Sequence, residues 1–114
     1  MGFYSTFTLK EWLALHCCTE DVDNLFCKAL KDNDTPMAVL ALFELVKRCE
    51  VDLVKKEVDE AIDAGYFAIC WHFSDEFAKA LTYLGSCHPA LKTIASEVRA
   101  AAGWPKAPKE PFDF

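Results

Sequence analysis

The chain has 114 residues, of which 53% are apolar and 13% aromatic, with four glycines, five prolines and a net charge of −6. That length suits one domain burying about two-thirds of its unfolded surface, and the apolar content excludes an intrinsically disordered chain. The longest strongly apolar, uncharged run, Ala64 to Ser74, has 11 residues against the ~20 a helix needs to cross a bilayer, which excludes a membrane-spanning segment.

The first basic residue is Lys10 and no basic region stands ahead of an apolar run, so no secretory signal is expected and the expected compartment is the cytoplasm. A single acyl chain at Gly2 without a polybasic neighbour would anchor only marginally, so no membrane partner is expected either. Thr8 and Glu11 have capping-box spacing, with Phe7 and Trp12 placed as a hydrophobic staple, which predicts a first helix from Leu9 to about Cys17. Thr19 then caps a second helix, Glu20 to Asp32, in which Val22, Leu25, Phe26, Ala29 and Leu30 recur at helical spacing.

Asn33-Asp34-Thr35-Pro36 joins a turn to a cap with proline at the first helical position, where its missing N–H costs nothing. The third helix that follows is apolar nearly all round from Met37 to Val46, which predicts a buried central element. Asp52 is the expected cap of a fourth helix with Val51, Val54, Val58, Ala61 and Ile62 inward and Gly65 as its stop. No Gly or Pro lies between Met37 and Ala64, so one long bent helix is the alternative.

Tyr66 to Phe73 fits a buried strand or a short helix; no second strand candidate exists to pair with it, so it is expected to be helical. Ser74, with Asp75 and Glu76, is expected to open the next helix, with Phe77, Leu81 and Leu84 inward and Gly85 at its end. His88-Pro89 opens the last, carrying Leu91, Ile94, Ala95, Val98 and Ala102 on one face and ending at Gly103. The predicted fold is an all-α compact bundle of five or six helices in consecutive antiparallel pairs over residues 1–103, followed by an extended, proline-containing tail over 104–114.

The net negative charge is confined to residues 1–65; residues 66–114 balance. That half would repel a phosphate backbone, so direct nucleic-acid binding is not expected, whereas a basic protein surface would be attracted. On the fourth helix Asp52, Asp59, Glu60 and Asp63 project together, opposite Val54, Val58 and Ile62. The stripe spans about 16 Å, over which duplex DNA presents roughly ten charges. Four acids beside Lys56 are therefore a weak phosphate mimic, but they suit steering toward a basic patch. Glu20, Asp21 and Asp23 extend the acidic character onto the second helix. Trp104, Phe112 and Phe114, outside the helical patterns, are candidate partner anchors, and the alternative is that they fold back over the domain.

Six cysteines, Cys17, Cys18, Cys27, Cys49, Cys70 and Cys87, lie in or beside apolar helical patterns. They are expected to be reduced and mostly to act as small buried hydrophobes. Neither paired CxxC nor HxxxH spacing occurs, so no metal or cofactor is assigned from the sequence. Cys87 is the candidate reactive thiol, because it precedes a helix N-terminus and adjoins His88. No oriented base or oxyanion hole accompanies it, so a catalytic role is not expected.

These features predict a non-catalytic protein-binding regulator, a small acidic inhibitor docking on a basic surface of a protein partner, with a nucleic-acid-binding surface as one form of it. In size and composition the chain resembles the small phage-encoded antagonists of host defence, anti-CRISPR proteins among them, which implies steric blocking of a host target but carries no residues over. The alternatives are a self-associating structural or adaptor protein, with a homodimer as its simplest form, and a thiol- or metal-dependent protein.

Overall fold

The computed structural model describes residues 17–103. They form an all-α bundle of five helices: α1 (Thr19–Asp32), α2 (Thr35–Lys47), α3 (Val51–Asp63), α4 (Trp71–Leu84) and α5 (Pro89–Ala101), with a 3-10 turn (Tyr66–Ala68) between α3 and α4. No strand occurs among the described residues, and none of their helices is long and apolar enough to cross a membrane. The helix predicted over Leu9–Cys17 and the tail over 104–114 lie outside the described residues, except Cys17, which is not helical.

Whether α2 and α3 are one helix or two is decided by the backbone at Cys49. This residue adopts a left-handed φ of 65°; its N–H donates to the Val46 carbonyl and that of Glu50 to the Leu45 carbonyl. The pair closes α2 in a Schellman motif, a conformation usually marked by glycine. Asn33 does the same after α1 at φ 55°, where asparagine is better suited to it, and its side-chain amide also donates to the carbonyls of Leu30 and Tyr66. Asp34 then caps α2, accepting from the Met37 N–H at 3.3 Å.

Three helix starts differ from expectation. Cys18, not Thr19, is the N-cap of α1, and Glu50 rather than Asp52 precedes α3, neither making a side-chain cap. Asp52 lies instead in the first turn, where its charge still favours the helix dipole. Helix α4 begins at Trp71, three residues before Ser74. Ser74 is fully buried, and its hydroxyl donates to the carbonyls of Phe67 at 2.7 Å and Cys70 at 3.2 Å. A polar group with no access to water must find such partners, and here they bind the 3-10 turn to α4. Tyr66 to Phe73 is therefore helical in two pieces, split at Ile69 and Cys70.

Helix α1 packs chiefly on α2 and α4 on α5, while α3 lies against α5, α2 and α1. At the centre Phe26 of α1, Phe67 of the 3-10 turn, and Phe73 and Phe77 of α4 are at most 1% exposed. Phe77 holds centroid distances of 5.9, 5.7 and 5.9 Å to the other three, within the range of favourable ring contacts. Leu42 and Leu45 of α2, Val54 and Val58 of α3, and Leu91, Ile94 and Val98 of α5 belong to the same core.

Candidate functional site

Helix α3 turns two faces to different surroundings. Val54, Val58 and Ala61 are in the core, while Asp52, Glu60 and Asp63 are exposed and Asp59 is half-buried. Glu60 lies 3.7 Å from Lys56 Nζ, whereas Asp52, Asp59 and Asp63 form no ion pair with any described residue. On α1, Glu20 and Asp21 are exposed in the first turn. The bundle thus carries a stripe of uncompensated carboxylates on α3 and a second exposed acidic pair at the start of α1. Trp104, Phe112 and Phe114 lie outside the described residues. Cys87 is exposed in the turn before α5, and its thiol is 3.9 Å from the Ser86 hydroxyl; among the described residues no base hydrogen-bonds it.

Asp23 departs from the exposed acidic set. It is half-buried and one helical turn from Cys27, whose sulfur lies 3.9 Å from Asp23 Oδ1. Across the α1–α3 contact Glu57 enters the same place: one ligand atom from each of Asp23, Cys27 and Glu57 lies within 4.8 Å of the others. Glu57 is only 8% exposed. Its nearest cation is Lys56 Nζ at 3.9 Å, beyond hydrogen-bond distance. A cleft of about 470 Å³ opens beside the trio, lined by Cys27, Glu57, Glu60, Lys28, Lys31 and Tyr66 among others.

Burial and crowding by like charge shape the chemistry of these groups. Burial, followed by the hydrogen bond and negative charge of Glu57, raises the Asp23 carboxyl to about 6, with Lys56 opposing. The Cys27 thiol is pushed up to about 12, first by burial and then by Glu57 and Asp23. Without a cation the thiol is therefore protonated and unreactive.

The raised Asp23 value sets a pH dependence. Its ordinary value is 3.8, so between that and about 6 the native state holds a proton that the unfolded chain releases, and this group's contribution to stability falls as pH rises through the window. Asp23→Asn is expected to stabilise the protein at pH 7.5 by about 1 kcal/mol once solvent screening is allowed for, or roughly 4 °C in melting temperature. At pH 4 the gain should vanish. Thermal melts of native and variant protein at both pH values measure it; an equal difference at the two would show that Asp23 is not the titrating group.

Asp23 and Cys27 stand four residues apart, a spacing visible in the sequence that a search for CxxC or HxxxH passes over. Glu57 clusters in the sequence with Asp59, Glu60 and Asp63 on the same helix, but nothing there separates it from acids of an ordinary solvated face. Its position on the helical wheel lies at the border between the solvated and buried faces of α3, and only the packing of α1 against that border makes it a buried acid.

No family model, curated protein or solved structure matches the chain. The surface and the buried trio therefore carry the functional reading by their chemistry alone.

Proposed function

We propose that the protein is a non-catalytic regulator that docks on a basic surface of a protein partner through the acids of α3 and the start of α1 and blocks that surface sterically. The observation that supports this is the set Asp52, Asp59 and Asp63, three carboxylates on one helix with no ion pair among the described residues. Uncompensated like charge on a rigid helix costs stability slightly and is useful when an oppositely charged surface completes it. A partner surface that ordinarily holds nucleic acid has the required charge, and an antagonist of the phage type, such as an anti-CRISPR, is the specific form of this reading.

The test is parallel affinity capture from the source cell with the native chain and with the D52K/D59K/D63K variant, checked for equal helicity. The expected partner binds the native bait, is released by raised salt, and binds the variant at least about tenfold more weakly. A partner whose functional inhibition by the two baits is equal overturns the acidic-face reading.

Exposed apolar side chains favour a second reading, self-association. Ile69 is 70% exposed and Trp71 52% at the α4 N-terminus, and Tyr83 is 70% exposed near its C-terminus, where it stacks on Phe43 with centroids 6.1 Å apart. A dimer by light scattering that dissociates in an Ile69→Asp variant would support it; a monomer at all concentrations would remove it.

A further inference from the structure

We propose that Asp23, Cys27 and Glu57 form a binding site for a divalent transition-metal cation of the zinc class, held by two carboxylate oxygens and one thiolate, with its remaining position open to the α1–α3 cleft. The site uses none of the exposed acids assigned to partner docking, so each proposal stands or fails separately.

Three observations converge on it. Donor atoms from two helices lie within 4.8 Å of one another; a tetrahedral zinc site holds its oxygen and sulfur ligands roughly 3.5 Å apart, as follows from metal–ligand bonds of about 2.0–2.3 Å. Independently, Glu57 is more than nine-tenths buried and accepts no hydrogen bond from any described donor outside the trio. Lys56, its nearest cation, is itself 62% exposed in its side chain and 3.9 Å away. A largely buried carboxylate needs a charge or donors to replace lost hydration; the α1 groups that hydrogen-bond Glu57 are an acid, Asp23, and a thiol, Cys27, while Lys28 and Lys31 line the same cleft. The third observation is access: Cys27 and Glu57 both line the cleft, which supplies an entry path and room for a water or an exogenous ligand.

The donor set selects the ion. Calcium and magnesium take all-oxygen shells and avoid thiolate, and copper(I) favours sulfur and thioether ligands. Zinc and cobalt(II) accept mixed oxygen and sulfur. Binding displaces the Cys27 proton to solvent and, below about pH 6, the Asp23 proton as well, so affinity rises with pH.

The experiment titrates cobalt(II) into the full, reduced, chelator-treated chain. One equivalent is expected to bind with a thiolate-to-metal charge-transfer absorption that Cys27→Ser abolishes and Cys87→Ser leaves intact. Asp23→Asn and Glu57→Gln should each weaken affinity at least about tenfold with helical circular dichroism retained. X-ray absorption of the zinc-loaded native chain, which needs no variant, should report one sulfur neighbour and otherwise oxygen. Absence of saturable binding, full absorption in Cys27→Ser, native affinity in both acid variants, or two sulfur neighbours would each overturn the site.

Discussion

Phe77→Ala is expected to destabilise the protein by about 4 kcal/mol, in the middle of the range for removal of a buried ring and a large part of the roughly 5–15 kcal/mol that holds a typical domain together. The reason is position as much as size. Phe77 is fully buried and touches Phe26, Phe67 and Phe73, joining α1, the 3-10 turn and α4. The surrounding rings are themselves closely packed, Phe67 and Phe73 standing 5.8 Å apart and nearly parallel, so they cannot move in to fill the void without losing contacts elsewhere. Urea denaturation should show a lower midpoint at unchanged slope. A cost below about 1 kcal/mol would mean that the aromatic cluster collapses freely and is not the keystone of the bundle.

Arg48→Met is expected to cost about 3 kcal/mol through a different mechanism. Arg48 Nε lies 2.7 Å from Glu44 Oε2, and the same guanidinium donates to the Cys17 carbonyl at 2.7 Å and the Thr19 hydroxyl at 3.3 Å. It thereby ties the end of α2 to the start of α1. Glu44 is 4% exposed, and its second oxygen, Oε1, has no hydrogen-bond partner among the described residues. Removing the arginine strands a buried carboxylate, which is far more costly than the pair is worth. The E44M/R48M double variant should recover most of the loss, because two apolar side chains of similar length need no partner; loss of the bonds to the Cys17 carbonyl and Thr19 hydroxyl contributes to the remainder. A double-mutant cycle by urea denaturation measures the coupling, expected to be about 2 kcal/mol. An Arg48→Met variant within 1 kcal/mol of the native protein would show that Glu44 is hydrated or protonated in its absence.

Both results concern residues whose types were visible in the sequence and whose consequences were not. Phe77 lies in a helical apolar pattern, so its burial was legible; its three ring neighbours, one of them from α1 some fifty residues earlier, were not. Glu44 sits in the apolar run of α2, where an acid is out of keeping with its neighbours, yet the arginine that compensates it occupies the next turn toward the solvent. The exposed acids of α3 were legible as a group because helical geometry alone brings Asp52, Asp59 and Asp63 to one side. Glu57, two residues before Asp59, was not, since its environment depends on where α1 crosses α3.

Hydrophobic periodicity and turn chemistry in the sequence are enough to determine the all-α class, the positions of the five described helices to within a few residues, and most of the core. These are local properties: each helix has an apolar face that must be covered and a cap or stop written in nearby residues. Tertiary structure alone decided three further matters. It split α2 from α3 at Cys49, where a non-glycine residue takes the left-handed conformation that closes a helix. It moved the start of α4 back to Trp71, so that Ser74 bonds inward to the 3-10 turn. And it brought Asp23, Cys27 and Glu57 together from two helices. The bonds that close α2 at Cys49 are local, but no glycine marks the place, whereas the other two matters turn on contacts between elements whose energy exists only once the elements have packed.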